Sequence, residues 1–205
     1  MSYKTIRNRT EASFTEKKSE FIGYISPAGT EEEAIGFINE IRAMHRKATH
    51  NCYAYILRNN NTGRHSDDGE PGGTAGMPIY DILSKNGITD VVCVVTRYFG
   101  GILLGTGGLV HAYSKGASMA LANAEIVNME VADSLKISCD YTMYGIVNSV
   151  LPEFESIIRD TEFTDSVCIY ADVKTDLTES LTAKLTDRCN GKVKIEKLKS
   201  GYVEF

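Results

Sequence analysis

One stretch constrains this chain more than any other: residues 90–115, which read DVVCVVTRYFGGILLGTGGLVHAYSK. It opens with an apolar run, Val91–Val95, that predicts a buried strand. Glycines follow at positions 100, 101, 105, 107 and 108, and a helical pattern begins at Leu109. A strand therefore leads through a glycine-rich bend to a helix start, where backbone N–H groups and the helix dipole favour an anion.

Composition and charge narrow the class of protein. The 205 residues are 42% hydrophobic and 24% charged, which is typical of a soluble globular chain of one or two domains. Residues 1–129 hold 13 Lys+Arg against 13 Asp+Glu, and residues 130–205 hold 9 against 14. The totals therefore lack the strongly basic character of many nucleic-acid-binding domains.

Cysteine usage and the N-terminus predict the compartment. The five cysteines are far apart and form no C-x-x-C pair, so we expect reduced thiols rather than a disulfide framework or a zinc site. The first fourteen residues, MSYKTIRNRTEASF, lack the apolar core of a signal peptide. We therefore expect a cytoplasmic protein without a membrane span.

A second unusual stretch, residues 65–83, reads HSDDGEPGGTAGMPIYDIL. Asp67, Asp68 and Glu70 lie within four residues. Clustered carboxylates on a loop can hold Mg²⁺ through oxygen ligands, but they are also common turn formers. The sequence leaves both readings open, and we predict no cofactor and assign no metal ligand.

Periodicity and turn signals divide the chain into two α+β domains, 1–130 and 131–205. In the first domain, Thr30 and Glu33 form a capping box at a helix start, and a polar turn spans Asn59–Gly63. The other predicted elements of this domain are strands 3–8, 12–25, 50–57 and 125–131 and helices 77–83 and 109–123.

The second domain follows the order βαββαβ, which is the ferredoxin-like pattern. Its predicted strands are 134–141, 155–160, 166–174 and KVKIEKL, and its helices are 143–151 and a second helix that begins at Asp176 with Glu179 as a capping box. Gly191 lies just beyond the end of that second helix, as helix C-termini favour.

No standard catalytic signature is present. The glycine-rich bend lacks the Lys-Ser/Thr of a Walker loop, and G-T-G-G-L-V fails the dinucleotide fingerprint at its last glycine. Arg97 is suited to bidentate recognition of a phosphate or carboxylate. Tyr98 and Phe99 either stack on a base or pack in the core.

Two blocks, SDDGEPGGTAGMPI and VVTRYFGGILLGTGGLVHAYSKGA, resemble the signature blocks of the IMPACT family and its bacterial, YigZ-like members. EKKSEFIGY near the start and HNCYAYI extend the resemblance over most of residues 16–120. The chain departs from the family at Glu20, where related sequences often carry Arg. That departure makes it less plausible that this segment supplies a basic side chain to a binding surface.

The resemblance implies a first domain like domain IV of elongation factor G, a fold shared with a small-subunit ribosomal protein and some small-molecule kinases. The second domain would be like the last domain of the same factor. These likenesses imply binding to ribosome, RNA or a translation-machinery protein. The eukaryotic relative is a translational regulator that acts through a partner-binding domain this chain lacks, so its role does not transfer directly.

We therefore predict a non-catalytic binding protein that acts in the regulation of translation. The predicted binding surface consists of His50, Asp67, Asp68, Glu70, Gly72, Gly73, Thr74, Arg97, Tyr98, Gly100, Gly101, Gly105 and Gly107. The carboxylates would fix loops or a cation, Arg97 would meet an anionic group, and the glycines would let a backbone approach.

Two alternatives remain open at this stage. The first is an enzyme acting on a phosphorylated small molecule or nucleotide through the glycine-rich loops. The second is that the blocks are architecture alone, with two tight glycine bends and an arginine paired to Asp68. The sequence makes no prediction of oligomeric state.

Overall fold

The structure, a computed structural model, describes residues 2–59 and 62–205. Residue contacts divide it into two units, one comprising Tyr3–Val127 and the other comprising Asn128–Phe205 with Ser2. Both units mix helices and strands, so the predicted α+β class is confirmed. Of the helices that the described residues form, none combines the length and the apolar character needed to cross a bilayer.

The first unit is built on a five-stranded antiparallel sheet with the strand order β2–β3–β6–β4–β5. The strand after the polar turn, β5, is a short edge strand; Asn60 and Asn61 of the predicted turn Asn59–Gly63 lie outside the described residues. The elements of this unit are β1 (Tyr3–Ile6), β2 (Thr10–Glu16), β3 (Ser19–Pro27), α1 (Glu31–Met44), β4 (His50–Leu57), β5 (Thr62–Ser66), α2 (Gly76–Lys85), β6 (Val91–Tyr98) and α3 (Gly105–Ala122).

The central strand β6 is apolar on both faces because both faces are covered. Val92 and Val94 pack in a cluster with α1 residues, whereas Val91, Cys93 and Val95 pack with α2 and α3. A strand buried on both faces reads as a continuous apolar run rather than an alternating one. The buried strand predicted from this run is therefore confirmed.

One predicted strand is a hairpin. The segment 12–25 is split into β2 and β3 by Lys17 and Lys18, whose φ angles are 45° and 64°. Two consecutive residues with positive φ form the two-residue turn whose twist suits an antiparallel hairpin. The prediction failed because such turns usually carry Asn or Gly, and two lysines give no turn signal.

The helix after the glycine-rich bend also differs from the prediction. It begins at Gly105 rather than at Leu109, so Gly107 and Gly108 lie in its first turn. Glycine is a poor helix former, and the helical pattern therefore became visible in the sequence only after the last glycine. The predicted cap of α1 is confirmed, because the Thr30 side chain accepts a hydrogen bond from the N–H of Glu33.

The second unit has the predicted ferredoxin-like architecture. Its four strands are antiparallel in the order β10–β7–β9–β8, and its two helices pack on one apolar cluster. The elements are β7 (Ile126–Cys139), α4 (Tyr141–Val150), β8 (Ile157–Phe163), β9 (Val167–Lys174), α5 (Thr178–Arg188) and β10 (Val193–Glu204). The predicted strands 125–131 and 134–141 are one continuous strand, β7.

The predicted cap of the last helix is wrong. The helix begins at Thr178, and Asp176 lies in a short 3-10 turn before it without a side-chain cap bond. The carboxylate that organises this region is Asp133 on β7, which accepts hydrogen bonds from the hydroxyls of Thr175, Thr178 and Ser200. A partner more than forty residues away leaves no local signal in the sequence.

Candidate functional site

A buried ion pair links the end of β6 to the loop before α2. Nη1 of Arg97 lies 2.6 Å from Oε1 of Glu70, and the two side chains are 5% and 4% exposed. The hydroxyl of Tyr113 on α3 donates to the same carboxylate oxygen at 2.7 Å. Much of the Arg97 charge is therefore balanced by the Glu70 carboxylate inside the protein.

Asp67 organises the acidic loop through backbone donors. Its carboxylate accepts hydrogen bonds from the N–H groups of Gly73, Ala75 and Gly76 at 2.8, 3.0 and 2.8 Å. Burial acts to raise the pKa of Asp67, but these three donors outweigh it and hold the pKa below its ordinary value. Asp67 therefore ties the loop to the start of α2.

Asp68 is held by two partners on neighbouring elements. Oδ1 accepts a hydrogen bond from Arg42 of α1 at 2.8 Å, and Oδ2 accepts one from the N–H of Asn51 at 2.7 Å. All three loop carboxylates thus have partners within the chain. Across residues 2–59 and 62–205, no three His, Cys, Asp or Glu side chains are grouped to hold a metal ion.

His50 lies beside the ion pair. Its Nδ1–H donates to the carbonyl oxygen of Asp68 at 2.8 Å, and its Nε2 lies 3.8 Å from Oε1 of Glu70. The carbonyl accepts only, so this bond requires a proton on Nδ1 and turns Nε2 towards the carboxylate. His50 pairs with Arg97 across the β4–β6 register, which explains why these two distant residues meet.

Tyr98 lies on the opposite face of the sheet. Successive residues of a strand point to opposite faces, so Tyr98 points towards α1 while Arg97 points towards α3. The Tyr98 hydroxyl lies 2.9 Å from Nδ1 of His45, and Nε2 of His45 lies 2.7 Å from the hydroxyl of Tyr24. Tyr98 is therefore not brought together with His50 and the ion pair.

Glycine is needed for different structural reasons at different positions of the bend. A Cβ on Gly100 would lie 1.9 Å from the carbonyl oxygen of Lys18, so this position packs directly against the β2–β3 turn. Gly101 and Gly105 have φ angles of +84° and +75°, which disfavour other residues. A Cβ on Gly107 would meet no atom within 4 Å, and its φ is not positive.

The glycines of the acidic loop divide in the same way. Gly73 has a φ of +77°, whereas Gly72 has no positive φ and would carry a Cβ in open space. Thr74 is buried and donates its hydroxyl to the carbonyl oxygen of Pro71 at 2.7 Å. Packing and backbone conformation therefore require Gly73 and Gly100 but not Gly72 and Gly107.

A pocket of about 420 Å³ opens where these elements meet. Its floor includes His50, Glu70 and Arg97, and its walls come from the bend and the start of α3: Phe99, Leu103, Leu104, Gly105, Thr106 and Leu109. Leu103 is 82% exposed, Ile102 41% and Phe99 45%. The rim of this pocket is therefore an exposed apolar surface.

Sequence reasoning missed several residues of this site. The ion pair depends on Tyr113, and the pocket wall depends on Leu103 and Leu104, none of which was in the predicted set. Three apolar residues between two glycines, in the segment GILLG, were the available signal. Nothing in the local sequence pointed to Tyr113, because its partner Glu70 is 43 residues away.

The arrangement is suited to binding. Glu70 is held in place by Arg97 and Tyr113, which both bond to its Oε1. Burial raises the pKa of the nearby Cys52 thiol, which donates to the carbonyl oxygen of Asp67 at 2.9 Å. That thiol is a structural group rather than a nucleophile.

Comparison with protein families gives two matches. Residues 17–121 match the family described as the Impact N-terminal domain. Residues 137–192 match a domain of unknown function, DUF1949. The first match lies within the Tyr3–Val127 unit and the second within the Asn128–Phe205 unit.

Two curated proteins and one solved structure are similar over nearly the whole chain. IMPACT family member YvyE of Bacillus subtilis is 37% identical over 99% of this chain and 94% of its own length. IMPACT family member YigZ of Escherichia coli is 32% identical over 87% of this chain and 89% of its own. A crystal structure of a hypothetical protein superposes with a TM-score of 0.63 at 29% identity, over 97% of this chain and 98% of that one.

Proposed function

The chain belongs to the IMPACT family, and from this premise we propose that it is a non-catalytic binding protein that acts in the regulation of translation. Its partner is the ribosome, an RNA or a protein of the translation machinery. The resemblance of the two domains to modules of elongation factor G supports this assignment. A cytoplasmic location is part of the same proposal.

The observation that carries the proposal is the exposed apolar rim of the pocket. Phe99 and Leu103 line the pocket and are 45% and 82% exposed, and Ile102, which precedes Leu103 in the bend, is 41% exposed. Exposed apolar patches on an otherwise soluble protein mark interaction surfaces. We call these three residues the apolar rim.

Charge around the apolar rim is mixed. Lys17 and Lys18 form the exposed turn whose carbonyl contacts Gly100, but Glu16 and Glu20 flank them in the sequence. Binding through this face therefore depends on local contacts more than on a large basic field. Affinity for an RNA partner should still fall as salt rises, with a shallow slope, because few phosphates are neutralised.

The test is co-sedimentation of the protein with ribosomes and with separated subunits over a salt series. Leu103→Asp places a charge on the apolar rim without touching the core, and Leu198→Asp is the matched control because Leu198 is 54% exposed in β10. We expect saturable binding that Leu103→Asp abolishes and Leu198→Asp retains. Absence of saturable binding at low salt contradicts the proposal.

A second candidate is an enzyme that acts on a phosphorylated small molecule or nucleotide. The pocket at the start of α3 favours it, because a helix N-terminus stabilises phosphate. The engagement of Glu70 and the buried thiol of Cys52 argue against it. Turnover of a nucleotide or sugar phosphate by the purified protein, lost in Thr106→Asp, would replace the binding assignment with this one.

A further inference from the structure

We infer that the pocket beside the apolar rim receives the indole group of a tryptophan from a partner protein, with the indole N–H donating to Oε2 of Glu70. The inference deepens the proposed function. It rests on that function only for the kind of protein that carries the tryptophan, which is a protein of the translation machinery.

The walls of the pocket are apolar and include an aromatic ring. Phe99, Leu103, Leu104 and Leu109 line a volume of about 420 Å³, which lies within the usual range for small-molecule sites. The guanidinium of Arg97 lies 5.3 Å from the centroid of the Phe99 ring, while 45% of Phe99 remains exposed. An aromatic ring that enters the pocket therefore packs beside a second aromatic ring, a pairing that adds to the free energy of apolar burial.

The floor of the pocket presents a hydrogen-bond acceptor. Oε1 of Glu70 accepts from Arg97 and Tyr113, whereas Oε2 accepts no hydrogen bond within residues 2–59 and 62–205. Oε2 is not among the solvent-inaccessible side-chain atoms that lack a partner, so water reaches it. The Glu70 side chain is only 4% exposed and lines the pocket. A ligand that displaces this water must replace its hydrogen bond to the carboxylate, or the bound complex is weakened.

The same geometry disfavours a charged ligand. Nη1 and Nη2 of Arg97 donate to Glu70 and Ser19, and its Nε is closed to solvent, so an anion would lie against the Glu70 carboxylate. A cation is disfavoured as well, because Arg97 already balances Glu70 and a second positive charge would lose its hydration. The group that fits is a neutral donor on a large apolar body.

The indole of tryptophan has this combination. Its N–H donates and the group has no acceptor, so no lone pair of the ligand faces the carboxylate. The tyrosine hydroxyl also donates, but its oxygen is an acceptor that would be left unpaired in the pocket. Phenylalanine and leucine have no donor and would leave Oε2 of Glu70 buried without a partner.

The apolar rim indicates that the tryptophan belongs to a protein. Leu103 is 82% exposed and Ile102, which lies beyond the residues that line the pocket, is 41% exposed. A free indole compound would leave this surface in water, whereas apolar neighbours of a tryptophan in a protein chain would cover it, as around the anchor residues of protein interfaces. None of the 205 residues is tryptophan, so a second copy of this sequence cannot supply the indole.

The inference is tested by titrating the ¹⁵N-labelled full chain and following its backbone amide resonances. The probes are N-acetyl-tryptophanamide and its 3-benzothienylalanine analogue, in which sulfur replaces the indole N–H and the shape is kept. We expect the tryptophan amide to shift the amides of Leu103 and Leu104 saturably, with a Kd of about 1 mM. The analogue should bind about 10- to 150-fold more weakly, because it lacks the hydrogen bond to a charged group. No shift at about 10 mM tryptophan amide, or equal binding of the two probes, overturns the inference.

A double variant locates the acceptor. In Arg97→Met/Glu70→Gln the side-chain amide oxygen still accepts from Tyr113, which puts an NH₂ group in the place of Oε2. We expect this variant to bind the two probes within about threefold of each other. Discrimination as large as in the unmodified chain overturns the inference. The comparison of the two probes on the unmodified chain does not depend on whether this variant folds.

A peptide tests whether a protein supplies the tryptophan. The probe is the acetylated and amidated pentapeptide Lys-Leu-Trp-Leu-Lys. We expect it to bind at least about tenfold more tightly than the tryptophan amide, because its leucines cover the apolar rim. Ile102→Asp should remove that gain, and the matched control Leu198→Asp, in β10, should retain it. A peptide that binds no more tightly than the amide overturns the assignment to a protein partner.

Two further results separate this inference from the proposed function. Loss of indole binding with ribosome co-sedimentation retained overturns the inference and leaves the proposed function standing. Indole binding by a protein that does not co-sediment contradicts the proposed function and leaves the pocket as a tryptophan site. Hexa-adenylate RNA that shifts the amides of Leu103 and Leu104 and binds more tightly than the peptide assigns the pocket to a nucleobase and overturns the inference.

Discussion

Removal of one partner from the Arg97–Glu70 pair should destabilise the first unit strongly. The two charges lie 2.6 Å apart with side chains only 5% and 4% exposed. At an effective dielectric constant of about 20, their attraction is about 6 kcal/mol, and the loss of hydration offsets much of it. The pair as a whole therefore contributes little, but an orphaned charge is costly.

Arg97→Met removes the positive charge and keeps most of the side-chain volume. The carboxylate of Glu70 then stays buried beside the Tyr113 hydroxyl and His50, without a fixed positive charge from Arg97. We expect the free energy of unfolding to fall by about 3–5 kcal/mol, which is the usual loss when a buried pair is broken. Arg97→Met/Glu70→Gln should recover most of that loss, because no buried charge remains and the amide oxygen still accepts from Tyr113.

Urea unfolding followed by circular dichroism and tyrosine fluorescence measures this effect. The chain contains 11 Tyr and no Trp, so tyrosine is the available fluorophore. With a slope of about 2 kcal/mol per molar urea, the midpoint should fall by about 2 M in Arg97→Met. The transition affected should be that of the Tyr3–Val127 unit.

Two results would refute the reasoning. A loss below about 1 kcal/mol in Arg97→Met would mean that water reaches Glu70, as at a surface pair. A double variant less stable than Arg97→Met would mean that packing rather than the buried charge dominates. The first result would mean that Arg97 is accessible to an anionic ligand.

Three further predictions concern stability, pH and reactivity. Gly100→Ala should lower the melting temperature sharply, because its Cβ would lie 1.9 Å from a backbone oxygen. Gly107→Ala should raise the free energy of unfolding by up to about 1 kcal/mol, because its Cβ would meet no atom within 4 Å. Calorimetry of the two variants measures both effects. Asp133 is buried, yet the Lys197 ammonium and three hydroxyls hold its pKa at about 2, below its ordinary value. Its contribution of about 2 kcal/mol to the free energy of unfolding is thus present above pH 4 and lost as the pH falls towards 2. Urea unfolding at several pH values should show that the stability of Asp133→Asn depends less on pH than that of the unmodified protein. Equal pH dependence of the two would contradict this. Burial raises the pKa of Cys93 to about 12. Iodoacetamide at pH 8 should therefore modify the partly exposed Cys168 before Cys93, and peptide mass mapping identifies the order. Early labelling of Cys93 would contradict its burial.

Local patterns in the sequence were sufficient for much of the fold. The apolar run Val91–Val95 predicted the strand at the centre of the first sheet, and HNCYAYIL predicted β4 with its observed bounds. The capping box at Thr30 and the order βαββαβ were also read correctly. Each of these signals lies within a few residues of the element that it predicts.

The predictions were wrong where the local sequence carried no signal for the observed element, or carried the signal of a different element. Lys17 and Lys18 form a turn without turn residues, and Gly105–Gly108 begin a helix with residues that disfavour helices. The strand β7 reads as two strands because the composition changes within it. In each case tertiary packing outweighed local propensity.

The candidate site shows the same division. The sequence by itself identified the two glycine-rich blocks and, of the residues that line the pocket, His50, Glu70, Arg97 and Gly105, because unusual clusters of Gly, Asp and Arg are visible without a fold. Only the tertiary structure decided that Arg97 pairs with Glu70, 27 residues away, and that Tyr98 turns to His45, 53 residues away. Strand register and helix placement set these partners, and both depend on contacts that are distant in the chain.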